Sequence, residues 1–517
     1  MKKRLYWILP LILVFIGLGL LFSRNIAHVT EPPESDWSRE LLLFETDVNQ
    51  QPLVTSNADS FHIASYNTNS KLVKKTYNNQ IELTNTITFD VPYTKWTKVF
   101  VKDDKAIYFD YENINNGETK ERIDEATNFY ALQDTILYMK GSDLYQLDPE
   151  TDTPTKIKTF EDNTEEITPF QQGGSIWFIA THSTNNSAQL DVYRLEGQNV
   201  ELVTQPTFEL QSGELLKELS FATKNDKVAF LLETERKNTG GAPPVYTTYL
   251  AEGELKDTSF DTRTLTYYDP HSKNPLREAG DATLSYHGEN LVILFAANGY
   301  SQTKHGETSA FNIYAATFDG EKMIVERRSN TAAISSKPQW IDENSIAWLD
   351  LAGDHYKLLY SSSDSKIMEK AKQITGENLM AALGKTLLMA ASSFIGYILS
   401  SIWFIWPLLF IVVLFLVRKR LLDQDPSWLF YGGALIYLIA AVIFKHRFFV
   451  ENIYDKGPEY LTFSGSSYVY IFGFALLAYL FSWMGYKRKE WASTTRLFFF
   501  VFFHLVLLIV YFGPYMI

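Results

Sequence analysis

The chain has 517 residues, 46% of them hydrophobic and 15% aromatic, with a net charge of −13 and no cysteine. It is too apolar for a disordered protein, which cannot bury enough surface to offset ordering entropy, and too acidic to grip nucleic acid by neutralising phosphates. The lack of cysteine excludes a disulfide scaffold, a thiolate metal site and a cysteine-linked lipid anchor.

The first predicted element is Leu5–Phe22, an uncharged run after Lys2, Lys3 and Arg4. Its 18 residues are about the shortest length that crosses a hydrocarbon core of roughly 30 Å. A cleaved signal peptide is the competing reading. The long apolar run and the poor small-x-small character of Ser23-Arg24-Asn25-Ile26-Ala27 favour a retained anchor, with residues 1–34 as anchor and linker.

A polar, acidic block follows. Residues 24–384 hold 54 of the 60 acidic side chains but only 33 of the 47 basic ones. Within 35–365 there is no sustained helical period. Short β-rich runs recur instead: Ala106–Phe109, Thr135–Tyr138, Ser175–Phe178, Lys227–Phe230, Leu291–Leu294 and Ser345–Trp348, each after an Asp, Gly or Asn turn residue. Most precede a second strand: Leu144–Leu147, Leu190–Leu195, Tyr246–Leu250, Phe311–Phe318 and Tyr356–Tyr360. Their spacings, 29 to 64 residues, scatter around the roughly 40–50 residues of a four-stranded propeller blade. The pattern predicts an all-β extracytoplasmic domain, an irregular six- to seven-bladed β-propeller. A hairpin at Ser60–Tyr77 completes a seventh blade or closes the ring. A pair of irregular β-sandwiches is the alternative. Long loops at Glu235–Val245 and Asn298–Ala310 offer binding surface.

One hairpin carries a resemblance. Asp143-Leu144-Tyr145-Gln146-Leu147-Asp148-Pro149-Glu150-Thr151 is similar to the outer hairpin repeat of bacterial β-propellers of the TolB and quinoprotein-like kinds. Leu190–Gly197 and Ile313–Gly320 are degenerate versions, and Asp152 stands where the repeat places glycine. The resemblance implies a propeller over the 35–365 block. It brings no functional residues with it, because quinoprotein cofactor ligands have no counterparts here.

Next, Ile367, Ala371, Ile374, Leu379, Leu383, Leu387, Ala390, Phe394 and Ile398 form a helical stripe. It predicts an amphipathic helix over 366–397, descending to the outer membrane surface or lying along it. One over-long tilted span kinked at Pro407 is the alternative. Ile398–Val417, Trp428–Phe444, Ser467–Tyr486 and Leu497–Phe512 complete a helical membrane domain over 398–517, giving five spans in all. Lys2, Lys3, Arg4, Arg418, Lys419, Arg420, Lys487, Arg488, Lys489 and Arg496 flank one side of these spans. Only Lys385, Lys445, Arg447 and Lys456 flank the other. The positive-inside rule then sets the N-terminus in the cytoplasm, and residues 24–384 and the C-terminus outside a cell membrane crossed several times.

Chemistry is scarcer. The nine histidines form neither His-x-His nor His-Glu-x-x-His, and no nucleophile elbow, phosphate-cradling loop or dinucleotide fingerprint occurs. No catalytic, metal or cofactor residue is assigned. Two features stand out. His504 sits near the middle of Leu497–Phe512; an intramembrane imidazole is either a functional group or a neutral histidine bonded to a neighbouring helix. The outer loop Lys445–Ser466 gathers His446, Arg447, Glu451, Asp455, Lys456 and Glu459, as a polar ligand site or a solvated loop.

These readings describe a lipid-embedded protein whose β domain binds a protein or envelope-polymer partner as a scaffold, without enzymatic activity. An envelope-polymer enzyme predicts instead a clustered pair of acids in a cleft, one with a raised pKa. A transporter or sensor component predicts that His504 lines a polar cavity.

Overall fold

The computed structural model describes residues 5–516 apart from 58, 161–165, 173, 185, 238–243, 258, 300–309, 321 and 490. Lys2, Lys3 and Arg4, and most of the two long loops expected at Glu235–Val245 and Asn298–Ala310, lie outside the described residues. The chain divides into two compact units, one of residues 31–373 and one of 1–30 together with 374–517. The first is thus inserted between the two segments of the second.

The inserted unit is a seven-bladed β-propeller. Blades 1 to 6 cover residues 53–89, 98–125, 128–159, 166–204, 214–265 and 277–327, each an antiparallel four-stranded meander in chain order. Blade 4 also carries the short strand Thr207–Glu209. Blade 7 is assembled from both ends of the unit. Ile334–Asp342, Ser345–Ala352 and His355–Ser362 supply three strands, and Leu41–Thr46 adds the outermost, with Leu41 opposite Tyr360. The β-sandwich alternative is overturned by this topology. The hairpin expected at Ser60–Tyr77 is the middle of blade 1, and Leu41–Thr46 is what closes the ring.

The recurring apolar runs form the second strands of blades 2 to 7. Each lies inside its sheet with apolar neighbours on both faces, so it reads as continuous hydrophobic sequence. Ile107, Leu137, Phe178, Phe230, Leu294 and Trp348 have no exposed surface. Among the described residues seven apolar clusters fill the seven gaps between neighbouring blades. The gap between blades 7 and 1 is bridged by Phe61, stacked on Tyr77 at 5.3 Å and on Tyr360 at 5.5 Å. Asp152, standing for the expected glycine, adopts φ of 55°. Aspartate tolerates that left-handed conformation, and here the carboxylate also binds Lys105 at 2.8 Å and Asn116 at 2.9 Å.

The helix expected as one piece over 366–397 is divided. Helices α1 (Leu5–Val29), α2 (Ser365–Ala371), α3 (Gly376–Ser392) and α4 (Ile395–Val417) follow in chain order. Local capping causes the break, which an apolar period does not reveal. Asp364 accepts the Lys366 and Ile367 amides to start α2, and a reciprocal Thr375–Asn378 box starts α3. Helix α2 belongs to the propeller unit, and α3 to the other.

The second unit continues with α5 (Lys419–Asp423), α6 (Trp428–Ile443), α7 (Glu451–Lys456), α8 (Glu459–Thr462), α9 (Ser466–Lys489) and α10 (Ser493–Phe512). Among the described residues four helical stretches are long and apolar enough to cross a membrane: Ile8–Val29, Gly376–Val417, Ser466–Lys487 and Ser493–Tyr515. The helix at Trp428–Ile443 is apolar but shorter. Close backbone approach packs this unit: a Cβ on Gly433 of α6 would collide with the Leu497 side chain of α10.

Candidate functional site

The first strand of each blade lines the propeller axis. We call the end where these strands begin the upper end and the end where they finish the lower end. The lower end holds a cavity of about 370 Å³, lined by Leu53, Val101, Gln133, Gln171 and Gln339 among others. Glutamines stitch the blades together there. Gln133 N donates to Gln171 Oε1 at 2.7 Å, Gln172 bonds Phe221 O and Thr223 N at 2.7 Å each, and Gln339 Nε2 donates to Pro52 O at 2.7 Å. Both chain connections also leave at this end, side by side. Ser38 N donates to Ser362 O at 2.8 Å, and Arg39 Nε donates to Ala371 O at 2.8 Å.

The upper end bears charge. Inner strands of blades 2, 4, 5, 6 and 7 contribute Lys98, Glu166, Lys217 with Glu218, Asp281 and Lys337. Lys98 donates to Phe129 O at 3.2 Å and lies 5.5 Å over the Tyr130 ring. Desolvation holds its ammonium below the ordinary lysine value, against the pull of Glu166. Burial pushes Tyr130 up to about 12. In blade 5 a bulge between Leu216 and Glu218 adds Lys217, and the register sets Glu218 opposite Glu233. Lys217 Nζ stands 3.4 Å from Glu233 Oε1. Burial and then the Glu218 charge raise Glu233 above the usual carboxylate range, with Lys217 opposing. Glu233 is only 6% exposed, whereas Glu218 is open to solvent. A cavity of about 190 Å³ lies here, lined by Glu166, Thr168, Thr181, Ser183, Lys217 and Glu218 among others.

Blades 6 and 7 meet through strained backbone. Asp281 has φ of 52° and Lys337 φ of 53°, both beside register breaks in their strands. Lys337 donates from its amide at 3.0 Å and from its ammonium at 2.6 Å to the two oxygens of Asp281. Non-glycine residues hold this conformation only where the surroundings over-determine it, which happens disproportionately at ligand sites.

Exposed aromatics share the same end. Among the described residues of the propeller they are Trp96, Tyr111, Tyr246 and Tyr268. Trp96 precedes the first strand of blade 2, Tyr111 joins that blade's second and third strands, Tyr246 begins the third strand of blade 5, and Tyr268 leads into blade 6. All four positions are upper. The two long loops likewise join the second and third strands of blades 5 and 6. None of this was singled out by the sequence, except the loops.

The sequence candidates lie in the other unit. His504 is fully buried and bonded at both nitrogens. Ile471 O of α9 can only accept, so Nε2 at 2.9 Å carries the proton; Nδ1 then accepts from Tyr437 Oη of α6 at 2.6 Å. Both ring nitrogens are thus bonded to neighbouring helices. His446, Arg447, Glu451, Asp455 and Glu459 are all exposed, spread over a 3₁₀ turn (Lys445–Arg447), α7 and α8. Among the described residues no hydrogen bond or ion pair joins any two of them. Arg496, read from the sequence as a cation flanking a span, is 4% exposed, with its guanidinium 3.8 Å over the Phe430 ring and 5.0 Å over Tyr486. Among the described residues no group of three or more His, Asp or Glu is placed to hold a metal ion.

No family model matches the chain, and no curated protein matches it. Solved structures similar to it include the β-propeller domain of the Trilobed protease from Pyrococcus furiosus, at 11% identity over 63% of this chain and 98% of that one, with a TM-score of 0.34. Trypanosoma rangeli sialidase in complex with sialic acid is 9% identical over 64% of this chain and 56% of that one, at a TM-score of 0.35. The Neurospora crassa Pan2 WD40 domain is 9% identical over 64% and 96%, at 0.34. Likeness at this level carries no argument about site or activity. The propeller assignment stands on the seven sheets themselves, and kinship with TolB or quinoprotein-like families is not shown.

Proposed function

We propose that this is a multi-pass cell-membrane protein whose propeller is an extracytoplasmic scaffold, binding a protein or an envelope polymer at its upper end. The carrying observation is that both chain connections leave the lower end, while the exposed aromatics of the propeller, among the described residues, gather at the other. In this reading α1, α3 with α4, α6, α9 and α10 supply five spans, with the basic clusters in the cytoplasm. The test is purification of the full-length protein from its native membrane in mild detergent, beside a version lacking 374–517. A stoichiometric protein or polymer retained by both supports a propeller-borne ligand. A lone protein in both preparations contradicts it.

A second reading is favoured by Glu233. A buried carboxyl with a raised pKa, opposite the open Glu218, is the acid pair expected of a polymer-cleaving enzyme. It predicts release of reducing ends from envelope polymers, abolished by Glu233→Gln. Unchanged release in that variant excludes it.

A further inference from the structure

We propose that the upper aromatic rim, centred on Trp96 and Tyr111, is a platform for the pyranose rings of a polysaccharide; this rests on the scaffold reading above and names the ligand class. Trp96 is 54% exposed and Tyr111 60% exposed, and their rings contact each other with centroids 5.5 Å apart. Trp96 is the one exposed tryptophan of the propeller among the described residues. Single exposed apolar side chains are ordinary, but this pair is built. Tyr111 has φ of 93°, an outlier for so bulky a residue. Its turn is held by Asp110, which accepts the Asn113 amide at 2.8 Å, the Glu112 amide at 3.1 Å and Asn115 Nδ2 at 3.0 Å. On the other side Thr94 and the buried Thr97 bond each other, Thr94 N donating to Thr97 Oγ1 at 2.9 Å. The backbone is therefore strained and locked so that two large aromatics face water.

The chemistry of the surroundings selects the ligand. The core of a protein interface wants contiguous apolar surface depleted of charge. Here the aromatics are set among ionic groups: Lys95 lies 4.6 Å over Trp96, and Lys217 lies 4.6 Å over Tyr246. A sugar ring meets both demands at once, laying a C–H face on an amphipathic aromatic ring while its hydroxyls reach the flanking ammonium groups.

The test is affinity electrophoresis of the full-length protein in detergent through gels containing hydroxyethyl cellulose, glycol chitin, dextran or polygalacturonate. Retardation of the wild type by at least one polymer is expected, weakened tenfold or more in Trp96→Ala/Tyr111→Ala and unchanged in Leu42→Ala, an exposed position at the lower end. Tryptophan fluorescence adds a second readout, a polymer-dependent blue shift that disappears in Trp96→Phe. No retardation of the wild type by any of the four polymers, or equal retardation of the double variant, overturns the inference. If the double variant instead loses a co-purifying protein, with no polymer retardation in the wild type, the glycan assignment falls and the scaffold reading survives. If neither polymer nor companion binds, both fall.

Discussion

Single side chains in this protein are exposed to water or sealed from it with evident consequences. Asp350, on the second strand of blade 7, is 3% exposed and accepts Ser335 Oγ at 2.6 Å and Trp348 Nε1 at 2.8 Å on the same oxygen. Burial raises its pKa, so the folded state holds the proton more tightly than the unfolded one. The resulting stabilisation is complete below the unfolded value, near pH 4, and is lost as pH rises through the folded value. Asp350→Asn therefore gains stability relative to the wild type as pH rises above about 4; thermal midpoints measured across pH check this, and a parallel pair of profiles would refute it. His504 is bonded at both ring nitrogens. Tyr437→Phe removes the donor to Nδ1 and should cost about 0.6 kcal/mol, the mean for hydrogen bonds between membrane helices, read from denaturation of the protein in detergent micelles.

At the scale of elements, ring closure depends on one strand. Phe44 on Leu41–Thr46 is 6% exposed, packed in the gap between blades 7 and 1 with Lys75 Nζ 4.7 Å over its ring. Phe44→Ala should cost about 3–5 kcal/mol. Hydrogen exchange should then rise in peptides covering Ser60–Tyr66 and His355–Ser362, with those from α9 and α10 unaffected. The second strands were legible in sequence because each is apolar on both faces. The first strands were not: bulges at Lys217, Asp281 and Lys337 break their period, and their axial sides are polar. The opposition of Glu218 and Glu233 follows from a register that no local pattern encodes. Trp96 and Tyr111 are 15 residues apart, in different turns of blade 2; their one local signal is a large aromatic set among turn residues, as in Asp110-Tyr111-Glu112. Helix caps at Asp364 and Thr375, both readable as Ser/Thr/Asp N-cap types, are what divided the expected 366–397 helix.

For the whole molecule, the propeller is a closed ring with both chain ends at one face, inserted in the chain between two sets of apolar helices. The charge asymmetry of the sequence, acidic in the propeller block and basic beside the apolar helices, is what the proposed extracytoplasmic placement rests on at this scale. The absence of native cysteine gives a direct test of it without background labelling. Asn69 lies in an exposed upper turn of blade 1, and Gln424 is exposed between α5 and α6 beside a basic cluster. Intact cells carrying Asn69→Cys or Gln424→Cys would be treated with a membrane-impermeant maleimide before and after lysis. Asn69→Cys should react in intact cells and Gln424→Cys only once the membrane is broken; labelling of Gln424→Cys but not Asn69→Cys in intact cells would contradict the proposed orientation.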